Sequence, residues 1–198
     1  PSTAHGGDNC VGTVLGGNYP NWTDSRLISP TLVLPDVVGE EELHLKFWQW
    51  FSYSNYNYHI YYDRYDQGHV QISVYDENTD TWADWQTLGS IQESSPVWSL
   101  KAVDLTAHAG QTVRIGFYHT EGRYYNASSV STGWYIDDVE VVTVPVVSPV
   151  PPYSEDFQSG WNDWGADNGL WEAGTPTMGP SACYSGDQCV GTVLGGNY

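Results

Sequence analysis

The side chains with the clearest chemical potential in this chain are its carboxylates. The sequence contains 24 Asp and Glu residues against 6 Lys and Arg, which gives a formal net charge of −18. Such an excess favours hard cations such as Ca²⁺, because these ions take oxygen ligands in proteins. A large net charge also keeps protein surfaces apart, so solubility is an alternative explanation of the same balance. The shortage of Lys and Arg speaks against nucleic acid and against an anionic membrane surface as partners.

Thiol chemistry is confined to three cysteines, Cys10, Cys183 and Cys189. Cys183 and Cys189 flank the short segment YSGDQ and could close a disulfide, which is typical of an oxidising exterior. Cys10 has no partner nearby in the sequence, and a buried free thiol is the simplest expectation for it. The spacing is not that of a zinc site.

Motifs for catalysis are absent from the sequence. It contains no GxSxG, no HExxH and no Gly-rich phosphate loop with a Lys. The carboxylates are numerous enough to include a glycosidase pair, but acidic residues in turns are expected at this net charge. The sequence therefore predicts a protein that is not an enzyme.

Tyrosines concentrate in the stretch Phe51–Tyr65, which directly follows Trp48 and Trp50. Exposed aromatic rings beside Asn and Asp can stack on sugars, and Tyr and Trp are also enriched at subunit interfaces. Packing across a long loop is the structural alternative, and the sequence leaves all three possibilities open. The candidates for a ligand or self-association surface are Trp48, Trp50, Tyr56, Tyr58 and Tyr61.

A repeated segment sets the organisation of the chain. CVGTVLGGNY occupies both Cys10–Tyr19 and Cys189–Tyr198, and with its flanks fourteen of nineteen aligned residues are identical at an offset of 179. This period is far longer than that of a solenoid, and it has the size of a domain. We interpret the chain as one full repeat of a tandem array followed by the opening of the next repeat.

Alternation of apolar and polar residues predicts β-strands throughout, and helical periodicity is nearly absent. Residues 42–52 are expected to form a central strand because both of its faces are partly apolar. Its predicted inner face is Leu43, Leu45, Phe47 and Phe51, and its outer face His44, Lys46, Trp48 and Trp50. The other predicted strands are Ser25–Leu34, His69–Tyr75, Thr81–Leu88, Val97–Leu105, Gln111–His119 and Trp134–Val144.

A Pro-rich linker at residues 145–153 divides the predicted domains. Residues 1–144 are predicted to be a β-sandwich repeat that lacks its first strands, and residues 154–198 to be the opening strands of the next repeat. A sandwich without those strands would expose apolar surface and unpaired edges. Residues 154–179 could fold back onto residues 1–144, complete a neighbouring molecule, or belong to one continuous polypeptide of repeats.

Several segments carry a resemblance to a known family. GWYIDDVEV at residues 133–141, EDFQSGW at residues 155–161 and LWEAGTP at residues 170–176 resemble MAM-like and carbohydrate-module-like jelly-roll domains of secreted bacterial surface proteins. The resemblance implies an all-β, antiparallel two-sheet jelly roll with one domain per repeat. It also implies that the first and last strands are neighbours, with a calcium ion near them.

The calcium ligands that the resemblance implies come from three segments. They are Glu155 and Asp156 of the opening strand, Asp137 or Asp138 of the last strand, and Asp24. Alternation along a strand would place Asp137 and Asp138 on opposite faces, so we expect only one of them to reach the ion.

These expectations combine into one functional hypothesis and one alternative. The hypothesis is a non-catalytic structural repeat of an extracellular or cell-surface fibre, stalk or adhesive protein that assembles head to tail with copies of itself. The alternative is a carbohydrate-binding module of a secreted hydrolase, with glycans as its ligands. No run of 18 apolar residues occurs, so membrane insertion is not expected.

Overall fold

The computed structural model describes residues 1–54, 66–121, 130–146 and 151–197. In these ranges the chain is an all-β, antiparallel β-sandwich, and its one helical element is a short 3-10 turn, Thr106–His108. The strands are β1 (Val11–Gly12), β2 (Asp24–Ile28), β3 (Leu32–Val33), β4 (Glu41–Ser52), β5 (Gln67–Asp76), β6 (Thr81–Trp82), β7 (Gln86–Ile91), β8 (Ser94–Asp104), β9 (Thr112–Thr120), β10 (Gly133–Pro145), β11 (Glu172–Gly174) and β12 (Cys189–Gly191).

The first sheet has the strand order β1-β10-β4-β8, so the predicted central strand is central. Leu45 of β4 lies opposite Val141 of β10 on one side and Val103 of β8 on the other. Burial alternates along β4 as the sequence pattern predicts, with the four apolar residues of its inner face buried. The remaining inward position is Gln49, whose side chain is also buried.

The second sheet has the order β2-β9-β5-β6, with β3 on β9 and β7 on β5. Ile72 of β5 pairs with Ile115 of β9, and both side chains face the first sheet. The predicted strand over residues 25–34 is divided into β2 and β3 around Pro30, because proline cannot donate to a ladder. The Ser29 hydroxyl there accepts a hydrogen bond from the Ile115 N–H at 2.9 Å.

The core fills the space between the two sheets. Phe47 packs edge-on against Phe117 at 5.0 Å between ring centroids, and Trp134 packs against Phe117 at 5.5 Å. The three rings come from β4, β9 and β10, so they join both sheets. Truncating such a fully buried ring to alanine typically costs about 3–5 kcal/mol.

Two arginines on the second sheet are held by aromatic rings on its outer side. The Arg26 guanidinium lies 4.6 Å from the Trp85 ring and 4.5 Å from the Tyr118 ring. The Arg114 guanidinium lies 3.7 Å from the Trp82 ring. Cation–π contact therefore covers these aromatic rings with charged groups.

Residues 163–171 lie along the β8 edge of the first sheet. The Ala166 N–H donates to the Leu100 carbonyl at 2.9 Å, and Lys101 Nζ donates to the Asp167 carbonyl at 2.7 Å. The Leu170 N–H donates to Ser95 Oγ at 3.0 Å. In this structure the segment therefore packs against its own sandwich, and β11 and β12 follow as a separate two-stranded ribbon.

The described part of the chain contains no helix with the length and hydrophobicity that a membrane span requires.

Candidate interaction surface

The outer side of the first sheet carries a row of aromatic rings, which we call the aromatic face. Alternation along β4 directs Trp48 and Trp50 outward, where each is half-buried. Tyr135 lies opposite Trp50 in the ladder and packs edge-on against it at 5.6 Å. The residues of the aromatic face are His5, Trp48, Trp50, Trp98, Tyr135 and Trp161.

The N-terminal segment covers part of the aromatic face. The His5 ring stacks on Trp48 with centroids 3.6 Å apart and planes inclined by 15°. Trp98 Nε1 donates to the Thr3 carbonyl at 3.2 Å, which holds the same segment from its other side. Trp48 is therefore not freely available to a ligand, whereas Tyr56, Tyr58 and Tyr61 lie outside the described residues.

An aromatic groove continues from this face into the C-terminal segment. It encloses about 520 Å³ and is walled by Phe157, Trp161, Trp164, Trp171 and Val190, with Asp167 at its side. Trp164 and Trp171 are 50% and 45% exposed. The groove thus offers flat apolar faces beside one carboxylate, an arrangement that suits a ligand with both apolar and hydroxyl-bearing surfaces.

Sequence reasoning did not identify this groove. Its walls come from residues 157–171 and from β12, and only the folded chain brings them together. The tryptophan spacing in GWNDWGADNGLW, residues 160–171, was the one available signal.

Asp137 and Asp138 both contact the N-terminal segment, which corrects the expectation of opposite faces. Asp137 Oδ2 accepts hydrogen bonds from the N–H groups of His5 at 2.9 Å and Gly6 at 3.1 Å, and Asp138 Oδ2 lies 2.7 Å from His5 Nδ1. The ladder between β10 and β4 shifts register between Asp137 and Glu140, and Asp138 has φ 47°. This β-bulge breaks the alternation on which the expectation rested.

The other three candidate carboxylates lie elsewhere. Asp24 is in the second sheet, where its Oδ1 accepts from the Thr120 hydroxyl at 2.9 Å. Glu155 accepts from the Phe157 N–H at 2.7 Å, and Asp156 accepts from the Gln158 N–H at 3.0 Å, as acids that close a turn do.

The candidate carboxylates thus occupy three elements. Among the described residues no group of three or more His, Cys, Asp or Glu side chains is placed to hold a metal ion. Calcium binding by Asp24, Asp137, Asp138, Glu155 and Asp156 stays a prediction.

A buried polar cluster lies between the sheets, and no pattern in the sequence predicted it. The Tyr19 hydroxyl donates to the buried carboxylate of Asp66, and the His119 ring stacks on Tyr53 at 5.7 Å. Neither ring nitrogen of His119 has a hydrogen-bond partner among the described residues. Burial lowers the pKa of the His119 imidazole below its ordinary value, and the nearby carboxylates of Asp66 and Asp24 oppose this shift.

The two copies of the repeated segment occupy different positions. In the first copy, β1 pairs with β10, and in the second copy, β12 pairs with β11. The predicted disulfide between Cys183 and Cys189 is present in the second copy. Cys10 of the first copy is a free, half-buried cysteine, and Ala4 stands where Cys183 stands in the second.

Comparison with known proteins relates the chain to part of one larger protein. No protein-family model matches the chain. It is 30% identical over 139 residues to Bacillopeptidase F of Bacillus subtilis (strain 168), and this match covers 70% of the chain. The chain spans only 8% of that relative's length. The similarity therefore concerns one small part of a protein that is, by its name, a peptidase.

Proposed function

We propose that this chain is a non-catalytic β-sandwich repeat of an extracellular or cell-surface protein, in which successive copies join head to tail into a fibre, stalk or adhesive array. One observation carries the proposal. The segment repeated at an offset of 179 appears as an edge strand of the first sheet in one copy and within a separate ribbon in the other. This arrangement supports a chain that holds strands of two successive repeats.

Three further observations support an extracellular modular role. The disulfide between Cys183 and Cys189 suits an oxidising exterior. The net charge of −18 keeps copies soluble at high local concentration. The resemblance to a small part of Bacillopeptidase F agrees with a module that accompanies other domains in a long polypeptide.

Electron microscopy of a polypeptide with several consecutive repeats tests this proposal. A compact domain of this size has a diameter of about 40 Å, so we expect evenly spaced globular units at about that axial distance. Units that collapse into one irregular particle, without a regular spacing, would contradict the proposal.

The aromatic groove favours a second candidate, a carbohydrate-binding module of a secreted hydrolase. Its exposed tryptophans, Trp164 and Trp171, can stack on the apolar faces of sugar rings, and Asp167 can accept hydrogen bonds from hydroxyl groups. Bacillopeptidase F is itself named as a hydrolase of peptides, so an accessory module beside a catalytic domain is consistent with this candidate.

A polysaccharide-binding screen distinguishes the second candidate from the first. If the groove binds glycans, Trp164→Ala and Trp171→Ala each weaken binding by at least about tenfold, because aromatic anchors dominate such contacts. Trp22→Ala is the matched control, since Trp22 is 59% exposed and does not line the groove. Equal loss in all three variants, or no binding by the unmodified chain, would count against the second candidate.

A further inference from the structure

We propose that residues 180–197 of one chain can replace residues 1–18 of another chain as the strand beside β10. This strand exchange rests on the proposed head-to-tail function and specifies how two copies would be joined. It follows from the environments of the two copies of the repeated segment.

The position beside β10 is shaped for the repeated sequence. Val11 lies opposite Ile136 and Gly12 opposite Tyr135, and the Thr13 N–H donates to the Trp134 carbonyl at 3.0 Å. A Cβ atom added to Gly12 would lie 2.7 Å from the Tyr135 ring. The Tyr135 hydroxyl donates to the Val14 carbonyl at 2.6 Å, so the ring cannot move away freely.

The second copy has the residues that this position requires. Val190, Gly191 and Thr192 correspond to Val11, Gly12 and Thr13 at the offset of 179. In this structure β12 pairs with β11, and no other described strand pairs with it. One edge of β12 is therefore open for a strand such as β10, the partner of its counterpart β1.

One flanking residue of the second copy, Tyr184, favours the exchange. Tyr184 corresponds to His5, which stacks on Trp48 in the first copy. Tyr184 is fully exposed where it now lies, so its ring would lose solvent contact on taking the place of His5. Ser185 corresponds to Gly6, whose N–H donates to Asp137. A Cβ atom at that position would lie 2.7 Å from Asp138 Oδ2, so the exposed Asp138 side chain has to rotate to admit Ser185.

The second copy is also held in shape before it binds. The Cys183–Cys189 disulfide closes the loop that precedes β12, whereas the corresponding residues of the first copy, Ala4 and Cys10, cannot form one. A pre-organised segment loses less conformational entropy on binding than an open one. The donor segment therefore starts with an advantage over the segment that it displaces.

The arrangement of the sheet makes exchange between chains a head-to-tail process. β1 lies at one end of the first sheet, and the β11–β12 ribbon contacts β8 at the other end. Donor and acceptor surfaces are thus different. Such a heterologous contact does not close between two molecules, so it extends into a chain of copies.

A matched pair of substitutions tests the exchange in the full-length chain. Gly12→Val places a branched side chain against the Tyr135 ring and expels the first copy from its position. We expect this variant to form oligomers with an average mass at least about twice that of the unmodified chain at the same concentration. Gly191→Val alone blocks the donor and is expected to leave the mass unchanged.

The double variant Gly12→Val/Gly191→Val separates exchange from nonspecific aggregation. In this variant the position beside β10 is empty, and residues 180–197 cannot fill that position in another chain. We therefore expect a monomer that forms a one-to-one complex when the unmodified chain is added. Oligomers of the double variant alone would overturn the proposal. A monomeric Gly12→Val variant would also overturn it, including the case in which the chain's own β12 replaces β1.

A labelled, disulfide-closed peptide of residues 180–197 provides a measurement that requires no folded variant. We expect it to bind the unmodified chain, and the same peptide carrying Gly191→Val to bind at least about tenfold more weakly. Equal binding of both peptides, or of neither, would overturn the exchange. The evenly spaced units predicted for consecutive repeats do not need exchange, so this outcome would leave the proposed function intact.

Discussion

His119 links solution conditions to the stability of the sandwich. Its side chain is 1% exposed and lies 4.7 Å from the Tyr19 ring and 5.7 Å from the Tyr53 ring. Because burial lowers the pKa of His119, the folded chain keeps the imidazole neutral at pH values at which the unfolded chain protonates it.

The sign of the resulting pH dependence follows from that difference. The unfolded chain binds more protons than the folded chain once the pH falls below the ordinary histidine pKa of about 6.5. The free energy of unfolding should therefore be greatest above about pH 6.5 and should decrease as the pH falls through that value. We expect the melting temperature to follow the same trend.

Replacing His119 by Phe should flatten this dependence. The substitution keeps a ring between Tyr19 and Tyr53 and breaks no hydrogen bond to a described residue. Thermal melts of the variant and of a control, His108→Gln in the surface 3-10 turn, are compared between about pH 7.5 and pH 5.5. A variant that loses as much stability on acidification as the control would refute the assignment to His119.

At the scale of single elements, alternation of apolar and polar residues predicted which face of a regular strand is buried. The inner and outer residues of β4 follow from alternation alone, because the strand is regular from Glu41 to its irregular pairing near Phe51. The same rule was wrong at Asp137 and Asp138, where an extra residue on β10 forms a bulge. A bulge depends on how two strands pair, and one strand's sequence does not contain that information.

Local sequence patterns could not predict contacts between segments that are distant in the chain. The aromatic groove, the cover of His5 over Trp48 and the cluster around His119 each join residues far apart in the chain. The sequence could predict the residue types that form such contacts, but not their partners. The disulfide was predictable because its two cysteines are close in the chain.

The first copy of the repeated segment can be given the disulfide that the second already has. Ala4 corresponds to Cys183, so in Ala4→Cys we expect the introduced thiol to pair with Cys10. Closing a loop of this length should stabilise the chain by roughly 2 kcal/mol, mainly by restricting the unfolded state.

Thiol titration and thermal melts check this prediction. The Ala4→Cys variant should show no free thiol under oxidising conditions, and the melting temperature should fall when a reductant is added. Ala4→Ser keeps a residue of similar size and serves as the control for the substitution itself. Two reactive thiols in the oxidised Ala4→Cys variant would show that the two copies do not adopt the same loop shape.

At the scale of the whole molecule, the charge of −18 acts on every surface at once. Mutual repulsion of this kind favours expanded states and weakens as salt screens it. Ordinary salt should therefore raise the melting temperature, and a bound calcium ion should raise it further by binding only the folded chain.

Melts in CaCl₂ and in NaCl of equal ionic strength separate the two effects. If calcium binds at a defined site, the melting temperature rises more in CaCl₂ than in the matched NaCl solution, and a chelator reverses the difference. Asp137→Asn and Asp24→Asn, one in each sheet, then indicate which carboxylates take part. Identical melting temperatures in the two salts would contradict the prediction of a calcium site.

The positions of the basic side chains affect how the chain would survive digestion. Within the described ranges, the Lys and Arg residues all lie within strands, namely Arg26, Lys46, Lys101 and Arg114. Trypsin-like proteases cut after basic residues and prefer exposed loop tips that can leave the fold. Ladder hydrogen bonds hold these four positions in their sheets, and aromatic rings cover Arg26 and Arg114 besides. In a medium rich in such proteases, the described part of the chain presents its basic residues only where cleavage first requires a strand to detach.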